Sequence, residues 1–274
     1  MTRVITSVDN ARVKAARALS RPKRRRETGL CLLEGARAIE TALEAGAVVR
    51  DVFAAPAARA GQRGRALLER LAQAGAAVFD VTERVLQSIS ATETPQGIVA
   101  TAVIPAAGPE EFAGVAAVLV ADRIGDPGNL GTMARTAAAV GAGLWTTFGS
   151  ADLFDPKALR ASAGTAFLLP VRQRMSVDEV AAESRRTGRR LVAADADGPL
   201  RYDQFGWDAP FALVIGSEAH GVDPRLLEAA DAVVRLPLAP GVESLNAAVT
   251  AAVCLFEAAR RRWPGGAAKP FTNL

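Results

Sequence analysis

Short apolar runs recur along the chain, each followed by a loop and a helical stretch, and this alternation constrains the fold more than any other feature. In the second part the runs are 115–121, 144–148, 190–194, 211–215 and 233–236, with helical patterns over 129–140, 156–163, 177–187 and 245–262. Strands of this length, separated by helices, imply an α/β architecture with a mostly parallel sheet covered on both faces. The first part alternates too. A helix over 7–20 puts Val13, Ala16 and Leu19 on one side, and the proline of Arg21-Pro-Lys-Arg-Arg-Arg should break it. Strands over 30–34, 48–54 and 77–81 follow, with helices over 35–45 and 62–74 and a turn and strand over 93–104. The small-residue stretch at Ala106, with its Gly-Pro, reads as a linker. The expected organisation is a domain of 1–105, a second of 106–264, and a disordered tail of 265–274.

Half of the 274 residues are hydrophobic, enough for a core without disulfides or structural metals. Cys31 and Cys254 are the only cysteines, too few for a disulfide framework or a thiolate cluster, and no metal is expected. No apolar run approaches the roughly 18 residues of a membrane span, and the start lacks a secretory apolar core. A soluble cytoplasmic protein is expected. The charge is uneven: residues 1–30 hold nine of the 33 Lys and Arg and two of the 29 acids, leaving 24 bases against 27 acids in the remainder. Such a basic block fits a phosphate backbone, or a solvated face without a partner.

Three loops at the expected carboxyl ends of strands stand out, where open parallel sheets bind ligands. The first, Asp122-Arg-Ile-Gly-Asp-Pro-Gly-Asn-Leu-Gly, spaces its glycines at 125, 128 and 131, which is neither the dinucleotide fingerprint nor a P-loop. It reads equally as a turn or a site. In the second, Ile215-Gly-Ser-Glu-Ala-His-Gly221, Glu218 stands near a helix start, where a carboxylate can cap free N–H groups. In the third, Ser244 is placed to cap the last helix, and Asn246 stands one turn in, where it is a poor helix former. His220 is the only histidine, with no visible partner for acid–base work.

Together these loops resemble the signature motifs of the SpoU/TrmH family of RNA 2′-O-ribose methyltransferases, within the SPOUT superfamily. Asn129-x-Gly-x-x-x-Arg135, Ile215-Gly-Ser-Glu-x-x-Gly221 and Leu236-Pro-x-x-x-x-x-x-Ser244-Leu-Asn246 are similar to the first, second and third motifs, in order. The stretch Asp155-Pro-Lys-Ala-Leu-Arg-Ala-Ser-Ala-Gly is also similar to a family segment. More loosely, Asn10-x-Arg-x-Lys, Glu34-Gly and Glu93-Thr-Pro-Gln-Gly resemble the family's substrate-binding domain.

The resemblance implies a trefoil-knotted SPOUT domain after a smaller α/β substrate-binding domain, a homodimer, and S-adenosyl-L-methionine as methyl donor. It assigns Arg135, Asn129, Glu218, Ser244 and Asn246 to catalysis, and Ala193, Ala194, Gly216, Ser217, Leu236, Pro237 and Leu245 to the donor. Arg135 would activate the ribose hydroxyl, or, as a guanidinium that normally stays charged, bind phosphate and stabilise the developing alkoxide. Arg12, Lys14, Arg21, Lys23, Arg24, Arg25, Arg26, Lys157 and Arg160 are expected to hold RNA, ribosomal RNA first. Shape and backbone recognition are expected over base stacking, because the first domain has only Phe53 and Phe79 as aromatics. The alternatives are a transfer-RNA methyltransferase or a non-catalytic RNA-binding or ribosome-assembly protein.

Overall fold

The computed structural model describes residues 4–92, 94–106 and 108–262. The expected tail 265–274 and Glu93 lie outside them. In chain order the elements are α1 (Ala11–Ala18), α2 (Pro22–Thr28), β1 (Leu30–Glu34), α3 (Ala36–Glu44), β2 (Val49–Ala54), α4 (Pro56–Ala60), α5 (Gln62–Gln73), β3 (Ala77–Asp80), α6 (Glu83–Ile89) and β4 (Ile98–Val103). Then come β5 (Ala117–Ala121), α7 (Pro127–Val140), β6 (Gly143–Thr147), α8 (Pro156–Ala161), β7 (Val171–Met175), α9 (Val177–Arg186), β8 (Arg190–Ala194), β9 (Leu200–Arg201), β10 (Phe211–Ile215), α10 (Pro224–Ala229), β11 (Ala232–Arg235) and α11 (Ala247–Arg262). None of these helices is long and apolar enough to cross a membrane, among the described residues.

The chain divides into two compact units. One runs to Pro105 and includes Phe154–Leu168; the other holds Ala106–Leu153 and the chain from Leu169 onward. The segment 154–168 was expected in the second domain. It joins the first unit because α8 packs on β1, and because a Cβ at Gly164 would meet the carbonyl oxygen of Ala38 at 2.5 Å.

The first unit carries a mixed sheet in the order β1-β4-β2-β3, with β4 antiparallel to β1 and β2, and β2 parallel to β3. Asn10 caps α1, and its side chain accepts from the Arg12 N–H at 2.9 Å. Val13, Ala16 and Leu19 pack with Leu32, Phe53, Val85 and Val99. Pro22 opens a helix rather than leaving irregular chain. At the first helical position its missing N–H costs nothing, and Gly29 ends α2 at φ 65°.

That helix corrects one expected RNA contact. Arg25 is 1% exposed, and its guanidinium donates to the carbonyls of Leu19 (2.9 Å) and Ser20 (3.0 Å) and to Asp155 Oδ2 (3.3 Å). It satisfies chain-end carbonyls after α1 and is not on the surface.

The second unit carries seven strands in the order β7-β6-β5-β10-β8-β11-β9, every neighbouring pair parallel. The central strands β5 and β10 are buried at every residue, as their unbroken apolar sequences require. All seven strands therefore end at one edge, where the loops after β5, β8, β10 and β11 gather. Past β11 the chain comes back across the sheet, and α11 packs against α7 and β10.

Candidate active site

The three motif loops meet through side chains. Asp126 caps α7 by accepting from the Asn129 N–H at 2.8 Å, which fixes Asn129 in the first turn. Asn129 Nδ2 donates to Glu218 Oε1 (3.3 Å). Asn246 Nδ2 donates to the same oxygen (2.7 Å) and to Asn129 Oδ1 (3.0 Å). Asn246 Oδ1 accepts from the N–H groups of Ala248 (3.0 Å) and Val249 (3.3 Å). Asn246, rather than Ser244, is thus the N-cap of α11, which explains a poor helix former at that position. The Ala247 N–H lies 3.4 Å from Glu218 Oε1, so the carboxylate also meets the positive end of α11.

Beside this triad lies a cavity of about 200 Å³. Its walls come from the loops after β8, β10 and β11, with Ala194, Gly216, Ser217, Leu236, Ser244 and Leu245 around it. Ala193 is fully buried in β8, and neither it nor Pro237 borders the space. The cavity has apolar walls from Ile215, Val234 and Leu238. Its charged lining residues are Asp195, Glu218 and Glu243, with no Lys or Arg among them. Such a lining suits an apolar ligand bearing net positive charge.

The floor of the second loop is held by groups the motifs do not mark. Asp122 is fully buried at the end of β5; it accepts from the Thr147 hydroxyl (2.7 Å) and the Asp223 N–H (2.8 Å). Burial pushes the Asp223 carboxyl up, but hydrogen bonds from the Arg225 backbone and guanidinium, with Arg123 nearby, hold it below the usual range. Nothing in the sequence but the place of Asp122 at a strand end could have found this tie.

Arg135 is not part of the triad. It is exposed on α7, forms no hydrogen bond or ion pair among the described residues, and does not border the cavity. His220 is exposed, and its N–H donates to Ser217 Oγ at 3.2 Å, closing the tight loop.

In the first unit, Arg21, Lys23, Arg24 and Arg26 are exposed, with Lys23 and Arg24 paired to Glu27 at 3.9 and 2.8 Å. Arg12 pairs with Asp51 (3.0 Å) and stacks over Phe79, and Lys14 pairs with Asp9 (2.9 Å). Lys157 is exposed. Arg160 lies 3.5 Å from Glu34 and borders a second cavity of about 250 Å³ with Gln96.

Comparison with known proteins gives this geometry a family. The model of the SpoU rRNA Methylase family matches residues 116–256, and that of the MRM3-like substrate binding domain matches 10–100. The 23S rRNA (guanosine(2553)-2′-O)-methyltransferase RlmP of Bacillus subtilis is 34% identical, covering 92% of this chain and 97% of its own. The 23S rRNA (uridine(2479)-2′-O)-methyltransferase of Streptomyces viridochromogenes is also 34% identical, over 93% and 92%. The crystal structure of an AdoMet-bound rRNA methyltransferase from Sinorhizobium meliloti superimposes with a TM-score of 0.84 at 29% identity, covering 95% of this chain and 98% of that one. With three ordered motif loops joined by one side-chain triad, and relatives aligned over nearly their full length, this chain belongs to the SpoU rRNA methylase family.

Proposed function

We propose that this protein transfers a methyl group from S-adenosylmethionine to a ribose 2′-hydroxyl of ribosomal RNA. The observation that carries the reading is the Asn129–Glu218–Asn246 triad beside a cavity lined by three acids and no base. S-adenosylmethionine bears a sulfonium, an ammonium and one carboxylate, so its net charge is positive, and it supplies an electrophilic methyl. Asp195, Glu218 and Glu243 would complement that charge, while Ile215, Leu236 and Leu245 would pack on its apolar parts. Relatives named as 23S rRNA 2′-O-methyltransferases favour ribosomal over transfer RNA.

The hydroxyl must lose its proton as its oxygen bonds to the methyl carbon and the carbon–sulfur bond breaks. Asn129, Glu218 and Asn246 hold the wall at which the two reactants meet. Arg135 would bind the neighbouring phosphate through its guanidinium and stabilise the developing alkoxide, with the proton passing to phosphate or water. Holding donor and acceptor in line is the larger contribution, worth up to roughly 7–11 kcal/mol.

A trefoil knot in the second unit is part of this reading. Its support is the return of α11 onto α7 and β10 after β11, which pairs outside β8. A homodimer is another part. Val249 and Phe256, each 47% exposed, stand seven apart on α11 and share a face. An exposed Arg135 outside the cavity is what a site completed by a second copy presents. Phe256→Glu is expected to move the protein from dimer to monomer by sedimentation at micromolar concentration, with loss of methyl transfer. A monomeric wild type would refute the dimer. Cys31 and Cys254 are both buried, which fits the reducing cytoplasm, and burial pushes the Cys254 thiol up to about 12.

Labelled methyl transfer from S-adenosylmethionine to total RNA lacking this modification, followed by mapping of 2′-O-methyl sites, tests the function. One strong site in ribosomal RNA is expected; no incorporation by folded, donor-bound protein would favour the non-catalytic binder. The basic block has its own test. Replacing Arg21, Lys23, Arg24 and Arg26 by Gln should lower the slope of log affinity against log salt by about 0.7–0.9 per lost phosphate contact. An unchanged slope would make the block a solvated face. Arg25 is left intact because it holds the fold.

A further inference from the structure

The carboxyl end of β6 carries the sequence Thr146-Thr147-Phe148, and each residue does something different. Both threonines are nearly fully buried, at 1% and 2%, whereas Phe148 is 52% exposed. Thr146 Oγ1 accepts the N–H of Arg174 (3.1 Å), at the end of the neighbouring β7. Thr147 Oγ1 accepts the N–H of Arg123 (3.0 Å), just past the other neighbour, β5. Both arginines have left-handed backbones, with φ of 62° and 53°. Non-glycine residues rarely adopt that conformation, and it persists where the surroundings enforce it, often at functional sites.

The result is an aromatic ring held at the ligand-binding edge beside positive charge. The β6–β7 pairing shifts register between Trp145 and Thr147, an irregularity of the kind that re-aims side chains. The Phe148 N–H donates to the Met175 carbonyl (3.0 Å), and the Arg174 guanidinium sits over the Phe148 ring, 5.2 Å from its centre. The platform does not itself line the donor cavity but is linked to its wall through Arg123. Gly149, next to Phe148, has its Cβ direction 3.4 Å from Arg123 Cγ, and Arg123 Nη2 donates to the carbonyl of Gly221 (3.4 Å), which lines that cavity. None of the motifs includes Phe148, Arg123 or Arg174.

We propose that Phe148, backed by Arg174, is a stacking platform for an unpaired base of the RNA adjoining the methylated ribose. This rests on the function proposed above. An exposed ring gives a base a π-face, and a guanidinium at that ring adds charge for the phosphate beside it. The placement fits the reaction, because a target ribose must leave its helix to reach the donor, and its unstacked neighbour then needs a new partner. Phe148 acts in binding and positioning and takes no part in bond making.

Phe148→Ala, Phe148→Leu and Phe148→Trp in the full chain test it, using RNA that the wild type methylates. Ala and Leu are expected to raise the RNA KM about tenfold, leaving kcat and donor affinity unchanged, and Trp should retain the wild-type KM. The additional indole emission of Phe148→Trp over the wild type should be quenched by an unpaired oligoadenylate. Leu matching the wild type in KM would overturn the proposal, because apolar packing alone would then suffice. So would a changed oligomeric state or donor affinity in Phe148→Ala, which would assign the ring to a protein interface or to the donor wall. If no RNA is methylated by the wild type, the functional reading fails, and the quenching measurement still decides the platform.

Discussion

Arg135→Ala is expected to fold like the wild type, bind S-adenosylmethionine with unchanged affinity, and lose methyl transfer by about three orders of magnitude. The stability part follows from its surroundings. The side chain is exposed and has no hydrogen bond or ion pair among the described residues, so truncation should change stability by no more than about 0.5 kcal/mol. Donor affinity should survive because Arg135 does not border the donor cavity. The activity part follows from chemistry. A ribose hydroxyl is a weak nucleophile, and among the described residues no lysine lines the site to take its proton, while the only histidine of the sequence, His220, is exposed and serves the loop through its backbone. A charged guanidinium at the phosphate is the group left to stabilise negative charge on the oxygen. Arg135→Lys separates two roles. If charge alone matters, Lys restores most of the rate; if two-pronged phosphate geometry matters, it does not. Near-wild-type transfer by Arg135→Ala would remove this residue from the mechanism, while Glu218→Gln would still be expected to fall.

Much of the second unit is legible in the sequence because its central strands β5 and β10 are unbroken apolar runs, and β8 and β10 begin and end where the sequence places them. β7 is not legible. Val-Arg-Gln-Arg-Met sits at the sheet edge, where two arginines and a glutamine are tolerated, so it carries no apolar run to detect. α2 is hidden by the opposite error: Pro22 reads as a breaker, yet proline at the first turn of a helix is a start signal. Of the site, the motif residues are identifiable but their partners are not. Ser244 and Asn246 both fit a helix cap by type, and only the path of the loop after β11 decides between them. Charge counting cannot separate Arg25 from its neighbours either; its burial depends on α1 ending where Leu19 and Ser20 leave free carbonyls. Asp122 follows β5 whereas Thr147 and Phe148 lie at the end of β6, and the two strands are neighbours only through the fold, so no spacing rule links Asp122 to the other two.

Gly216→Ala tests whether the cavity after β10 is the donor site. An added Cβ would stand 2.1 Å from the carbonyl carbon of Gly221 and 2.2 Å from both its oxygen and the Val222 nitrogen. These are backbone atoms, so no side-chain rotation relieves the overlap. The loop itself is tight, with the Gly221 N–H donating to the Ser217 carbonyl at 2.8 Å. One methyl must therefore open the turn that presents Glu218 to Asn129 and Asn246. Overpacking of this kind costs roughly 1–3 kcal/mol. If that cost falls on the donor-bound form, affinity for S-adenosylmethionine drops by about 5- to 150-fold, and transfer falls further because Glu218 loses its partners. Gly206→Ala is the matched control: it lies in the same unit, and nothing stands within 4 Å of its Cβ position. Calorimetric titration with S-adenosylmethionine reads both variants directly. Wild-type affinity in Gly216→Ala, with the fold intact, would place the donor elsewhere on the protein, because no ligand can be held by this wall while the wall is forced open.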